Sequence, residues 1–163
     1  MTTIVLLGFG NVGFHLINAL NNVNENSVIQ IYNRNKIELS SELNHIPFTT
    51  DLSKIKDADL YIIAIPDDSI SAFSEILPLN NKLVVHTSGS VSMNTLSEKN
   101  RKGVFYPLQT FSKNREVHFI NIPICVEATE ASDLELLMNL GKSLSDKVVE
   151  VNSEERSKLH LAA

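Results

Sequence analysis

Thr2–Asn22 reads TTIVLLGFGNVGFHLINALNN. Thr2–Leu7 is a continuous, β-branched, apolar run, as expected of a strand buried on both faces. It runs into Gly8-Phe9-Gly10-Asn11-Val12-Gly13, a G-x-G-x-x-G. Val12, Leu16, Ala19 and Leu20 then recur at helical spacing. Strand, glycine motif and helix in direct succession predict a dinucleotide-binding turn. Gly8 allows the tight turn, Gly10 lets a pyrophosphate approach the backbone, and Gly13 lets the helix pack on the strand. The free N–H groups and positive dipole end of that helix suit phosphate. The bland alternative is a glycine-rich turn that binds nothing.

Working outward, 163 residues suffice for one good core, with little room for a second complete domain. Hydrophobic content of 43% and charged content of 20% are ordinary for a globular chain. A net charge of −5 argues against a general nucleic-acid binder, which needs a basic surface. No run is long enough to span a membrane, and the N-terminal apolar stretch lacks the basic flank of a signal peptide. The single Cys125 permits no internal disulfide and no cysteine metal cluster, and its apolar surroundings predict a buried, inert thiol. A cytoplasmic protein without a metal site is expected.

Ser27–Tyr32 reads as the second strand, ending at Asn33-Arg34-Asn35-Lys36. Asn33 lies 20 residues beyond Gly13, where such folds meet the adenosine ribose. A site for NAD usually places a carboxylate there. Here Asn33 replaces it and Arg34 follows, which suits the extra 2′-phosphate of NADP over NAD. A solvated polar turn is the alternative. Lys36–Leu43 is a short helix candidate, Pro47-Phe48 begins a third strand, and Asp51 caps the following turn.

Asp59–Ile65 is the fourth strand; Ile65 and Pro66 at its end should border the cofactor. Asp67 and Asp68 are better read as caps for a Ser69–Leu77 helix than as a metal or acid pair. Lys82–Val85 delivers His86-Thr87-Ser88-Gly89-Ser90 to the same cleft. There His86 is a candidate proton carrier, and Ser88 a candidate for holding substrate carboxylate or phosphate. The same residues would also serve simply to shape a turn before a Ser92–Glu98 helix. Gly103–Tyr106 is a further strand, with Gln109 and Thr110 as possible donors after the Pro107 turn. Phe119–Val126, broken by Pro123, and Lys147–Val151 are strands around a helix marked by Leu134, Leu137, Met138, Leu140 and Leu144. His15, His45 and His118 have no metal-ligand spacing and read as structural or surface residues.

These alternating elements predict a doubly wound α/β fold: a mostly parallel sheet in a three-layer αβα sandwich, with the order of the strands after Gly103, and whether they include an antiparallel pair, left open. Residues 1–151 form the expected dinucleotide-binding domain. Asn152 or Ser153 caps a last helix, in which Leu159, Leu161, Ala162 and Ala163 turn apolar with no stop signal. Residues 152–163 are therefore expected to begin an interdomain helix leading to a further domain.

Taken together, GFGNVG, IYNRN, AIPDD, HTSGS, GVFYPLQTF and the terminal ERSKLHLAA resemble one branch of the 6-phosphogluconate-dehydrogenase-like superfamily. These are Rossmann-like proteins with an all-helical C-terminal domain of unassigned function, often labelled as similar to deazaflavin-dependent NADP reductases. Pyrroline-5-carboxylate reductase and prephenate dehydrogenase are more distant relatives of the pattern. The resemblance implies a helical second domain that mediates homodimerisation and closes the active site. It also places His160 on the interdomain helix, where related dehydrogenases often carry a catalytic polar residue, commonly Lys. A helix-surface histidine is the alternative. Nothing in these residues specifies a deazaflavin.

Two functions follow as expectations. The first is an NADP-dependent oxidoreductase acting on a small carbonyl, imine or hydroxy acid. Gly8, Phe9, Gly10, Asn11, Val12, Gly13, Asn33, Arg34, Ile65 and Pro66 would hold the cofactor, with His86, Ser88 and His160 as catalytic candidates. The second is a dinucleotide-binding sensor or scaffold without chemistry of its own.

Overall fold

The computed structural model describes all residues from Met1 to Ala163. Eight strands form one sheet in the order β3-β2-β1-β4-β5-β6-β7-β8. They are β1 Thr2–Leu7, β2 Asn26–Tyr32, β3 Phe48–Thr49, β4 Leu60–Ile63, β5 Leu83–His86, β6 Arg101–Pro107, β7 Ile124–Ala128 and β8 Val148–Glu150. Every neighbouring pair is parallel except β6 and β7, which run antiparallel with Tyr106 opposite Cys125. The helices are α1 Asn11–Asn21, α2 Ile70–Ile76, α3 Ala131–Leu144 and α4 Ser153–Ala162. The expected three-layer Rossmann-like architecture is observed.

Strand pleating explains the layers, because successive side chains point to opposite faces. Ile4, Leu6, Leu60 and Ile62 join one apolar core with Leu16, Ile17 and Leu20 of α1 and Leu137, Leu140 and Leu144 of α3. Their strand neighbours Val5, Leu7, Tyr61 and Ile63 join a second core with Ile70 of α2 and Leu77. A smaller cluster of Met93, Val104, Tyr106 and Cys125 lies towards β7. The sheet's two halves diverge between β1 and β4, and the crevice beyond the carboxyl ends of these strands is the topological switch point where such sheets bind ligands.

Three local expectations are corrected. Lys36–Leu43 is not helical: a single turn closes on the Ser40 carbonyl, which accepts from the N–H groups of Leu43 and Asn44. So short a helix is marginal alone, and the turn lets both Leu43 and Ile46 reach the core. Ser92–Glu98 shortens to a 3-10 turn, Met93–Thr95, because the Ser97 N–H donates instead to Ser74 Oγ on α2 at 3.0 Å. Phe119–Val126 divides into a 3-10 turn at Phe119–Asn121 and β7, with Pro123 unable to donate to a ladder.

Candidate functional site

The turn after β1 is built by exclusion. Gly8 sits at φ +106°, where side chains are strained, and a Cβ there would lie 2.4 Å from the Ala64 carbonyl oxygen and 2.6 Å from Ile65 Cγ2. A Cβ on Gly13 would lie 2.7 Å from the Gly8 oxygen. Both positions thus need glycine for the fold alone. Gly10 differs, because nothing lies within 4 Å of where its Cβ would be. Gly10 is the N-cap of α1, which has no side-chain cap bond and no acidic residue in its first turn. The helix end is left with free N–H groups and an uncompensated positive dipole.

Two cavities meet at this turn. The first, about 400 Å³, is lined by the glycine turn, Asn11, Val12, Asn33, Ala64, Ile65, Pro66, Asp67, Thr87 and Ser88. The second, about 550 Å³, is lined by Tyr32, Arg34, Asn35, Asp68, Ser69, Ala72, Phe73 and Ile76. Gly8, Asn33, Ile65 and Pro66 border both, so the two are lobes of one cleft along the switch point. Each lobe has the volume of an ordinary small-molecule pocket.

Asn33 is the pivot. Its Oδ1 accepts from the Phe9 N–H at 3.2 Å, and its Nδ2 donates to the Asn35 carbonyl at 2.8 Å. One carboxamide therefore ties the glycine turn to the turn after β2. Arg34 beside it is exposed and makes no hydrogen bond or ion pair within the chain. Tyr32 and Phe73 stack with centroids 5.8 Å apart and help wall this lobe.

At the other end, the carboxyl terminus of β5 supplies Thr87 and Ser88. Ser88 Oγ accepts from the N–H groups of Ser90 at 3.2 Å and Val91 at 3.0 Å, which leaves its own proton free to donate. Asp67 also lines this lobe, and its carboxylate accepts from Ser90 Oγ at 2.9 Å. The capping expected of Asp67 and Asp68 is corrected: neither makes a side-chain cap bond, and the carboxylate of Asp67 is turned to the β5 loop. Asp51 does cap its turn, accepting from the Ser53 N–H.

His86 is fully buried and presents no surface to the cleft. Its Nδ1 accepts from the Ser88 N–H at 3.0 Å, so it shapes the loop from within. Burial foremost, then the nearby Arg156 guanidinium, push its pKa down, the Ser92 and Val91 backbone and Asp67 pull it partly back, and the net value is about 4. His160, on α4, is exposed, and its Nδ1 lies 2.7 Å from the Tyr106 hydroxyl. Its ring packs on Gly89, where a Cβ would come within 2.4 Å of Nδ1. Gln109 and Thr110 are exposed, and neither they nor His160 lines either lobe. His15 accepts a structural place, with Nε2 2.6 Å from the Ser112 carbonyl. Cys125 is buried and its thiol pKa is raised by burial, as expected of an inert thiol. No cluster of three or more His, Cys, Asp or Glu is spaced to hold a metal, and no helix is long and apolar enough to cross a membrane.

Residues passed over in the sequence complete the site's frame. Arg156 is fully buried, with Nη1 donating to Glu127 at 2.6 Å and Nη2 to the Val91 carbonyl. Ser153 Oγ donates to the same carboxylate and accepts from the Met93 N–H at 3.1 Å. The start of α4 is thereby bolted to the His86–Met93 loop. Arg156 falls within the ERSKLHLAA motif, but by its spacing it reads there as a surface charge. Tyr106, in contrast, is the penultimate residue of β6, and the strand-end rule that singles out Gln109 applies equally to it.

A family described as a domain of unknown function (DUF2520) matches residues 122–163. Among solved structures, the chain is similar to a putative NADP oxidoreductase from Bacteroides fragilis, with 36% identity and a TM-score of 0.89 over 99% of this chain. The chain spans 64% of that protein's length. A prephenate dehydrogenase from A. aeolicus, in complex with hydroxyphenyl propionate and NAD+, shares the fold with a TM-score of 0.76 at 14% identity, matching 96% of this chain and 62% of its own. A pyrroline carboxylate reductase from Plasmodium falciparum with NADP bound gives 0.74 at 13% identity, over 94% and 59% of the two chains. No curated protein sequence matches the chain.

Proposed function

We propose that this chain binds NADP(H) across the carboxyl edge of its sheet, as the cofactor-binding part of an oxidoreductase acting on a small carbonyl, imine or hydroxy acid. The observation that carries this reading is the contrast among the three glycines. Gly8 and Gly13 are demanded by packing, whereas the missing side chain at Gly10 makes room for no neighbour in the fold. A ligand that must approach the backbone supplies the missing reason, and a pyrophosphate on a helix N-terminus is that ligand. Names among the similar proteins agree in class, since they include a putative NADP oxidoreductase, a dehydrogenase in complex with NAD+ and a reductase with NADP bound.

In this reading Gly10, Asn11, Val12 and Gly13 hold the pyrophosphate, with Phe9, Ile65 and Pro66 as the apolar walls. Arg34 meets the 2′-phosphate, and Asn33 places the Arg34 turn against the glycine turn. The cofactor supplies or accepts hydride. Ser88 donates its free proton to the substrate, and His160 is the accessible proton carrier. His86, sealed and neutral, sets the loop. A second domain, contributed outside residues 1–163, would cover the substrate and pair two subunits. Calorimetric titration with NADPH and NADH tests the reading: preference for NADPH, lost in Arg34→Ala, supports it, and binding of neither cofactor by this chain or by a longer one overturns it.

The sensor reading rests on one observation, that His86 is closed off from the cleft. It gains if a longer chain binds NADPH yet turns over no member of a carbonyl and imine panel.

A further inference from the structure

Tyr106 has no part in the cofactor cleft, yet it makes the one hydrogen bond that His160 has through its ring. The hydroxyl comes from the end of β6, a rigid central strand, and Tyr106 itself is nearly buried. Its ring meets the imidazole edge-on, with centroids 5.7 Å apart at 74°. The imidazole also lies on Gly89, with no room for even a methyl group between them. Gly89 directly follows Ser88, which lines the cleft. A phenol from β6 and a bare backbone from the β5 loop therefore clamp one exposed imidazole against Gly89, next in the chain to the cleft-lining Ser88. The helix that carries it is held by the buried Arg156–Glu127 pair one turn earlier.

We propose that Tyr106 is a positioning residue for His160, holding Nδ1 so that Nε2 always carries the proton offered to substrate. The inference rests on the NADP(H) reading for the identity of the reaction, but the clamp itself does not. A neutral imidazole has one N–H, and the partner of one nitrogen decides where it sits. Burial raises the Tyr106 pKa, so the phenol keeps its proton, and His160 Nδ1 is the one acceptor the chain offers that O–H. With His160 neutral, that O–H donates to Nδ1 and the ring proton resides on Nε2. With His160 charged, Nδ1–H donates to the phenol oxygen and Nε2–H is the acid. In either state Nε2 carries a proton and is a donor. When hydride adds to the carbon of a carbonyl or imine, the heteroatom takes the bond's electron pair and then the Nε2 proton of the charged ring. Neutral His160 remains, to be recharged from solvent. The clamp supplies orientation, which is the part of general acid catalysis that a free surface histidine lacks.

The test uses the ring itself, without cofactor. Long-range 1H–15N spectra of this chain at alkaline pH report the tautomer of each of its five histidines, with His160 assigned by His160→Gln. Wild type is expected to show a single Nε2–H tautomer for His160 and a slowly exchanging Tyr106 hydroxyl proton. Tyr106→Phe should lose that proton signal and bring His160 into fast tautomer exchange. Gly89→Ala, which displaces the ring while leaving both partners intact, should do the same. An exchanging His160 ring in wild type, or one unchanged by both substitutions, overturns the clamp. In the longer enzyme with a substrate found by screening, Tyr106→Phe should lower kcat about tenfold and move its pH profile, with NADPH affinity unchanged. Unchanged kcat and pH profile overturn the catalytic half. Loss of NADPH binding in wild type, with the clamp intact in the spectra, sinks only the cofactor reading.

Discussion

The guanidinium of Arg156 is completely buried and donates from Nη1 to Oε2 of Glu127 at 2.6 Å, joining the last helix to the edge of the antiparallel pair. Removing one partner of such a pair strands the other charge. Arg156→Met should therefore cost about 3 kcal/mol of unfolding free energy, since Glu127 is mostly enclosed. Arg156→Met with Glu127→Gln should cost clearly less than the two single changes added together. Urea unfolding of the four proteins measures both quantities, and full additivity would mean that the two side chains do not act as a pair.

The three glycines should separate folding from binding. Gly8→Ala meets a backbone carbonyl at 2.4 Å from a positive φ and should lose about 3 kcal/mol or more. Gly13→Ala, at 2.7 Å from the Gly8 oxygen, should lose about 1–3 kcal/mol. Gly10→Ala should stay within about 1 kcal/mol of wild type, because its backbone is already extended and the space is open. NADPH affinity should nevertheless fall at least about tenfold in Gly10→Ala, as expected where a Cβ enters the pyrophosphate site. Thermal melts with calorimetry decide, and unchanged affinity would remove the main support for the proposed ligand.

Arg34 has no partner in the protein, so its loss should leave stability alone. A charged hydrogen-bonding contact to phosphate is worth about 1.5–3 kcal/mol, which corresponds to roughly 10–100-fold in affinity. Arg34→Ala should lose that factor for NADPH and almost nothing for NADH. Equal losses for both cofactors would assign Arg34 to a part that they share.

Asn33→Asp keeps an acceptor for the Phe9 N–H but gives up the bond to the Asn35 carbonyl. The new carboxylate repels a 2′-phosphate and suits a 2′-hydroxyl. The expected result is a ratio of NADPH to NADH affinity that falls at least about tenfold, read from paired titrations. A ratio that stays constant would place the ribose elsewhere.

Acid should act through His86. Its folded pKa of about 4 lies below the ordinary value of 6.5, so the unfolded chain binds a proton that the folded chain refuses. The stabilisation from keeping it neutral is fully present above about pH 6.5 and is lost as pH falls towards 4, by about 3 kcal/mol in all. Carboxylates add their own acid dependence, so the comparison is with His86→Gln. That variant should lose less stability than wild type between these pH values in urea unfolding. Parallel curves would show that His86 titrates normally.

Much of this was legible from one dimension. Continuous apolar runs ended by polar turns disclosed the strands, and the spacing within Thr2–Asn22 located the cleft, because both signals are local in the chain. Short elements resisted. Lys36–Leu43 has helical composition, yet a single turn serves its buried leucine better, and Ser97 abandons a helix for a hydroxyl on α2. Such choices depend on partners more than twenty residues away.

The sequence by itself determined the layer order and the position of the glycine turn, since pleating and helical periodicity write burial directly into residue spacing. Only the tertiary structure decided which polar residues face the cleft. His86 and His160 look alike as letters, but one is sealed beneath its loop and the other is clamped in the open by Tyr106 and Gly89. Arg156 reads as a surface charge and lies in the core, because Glu127 and the Val91 carbonyl replace the water at Nη1 and Nη2, while Nε stays unpartnered. Burial of a charge is settled by which groups the fold brings around it, and chain spacing carries no record of that company.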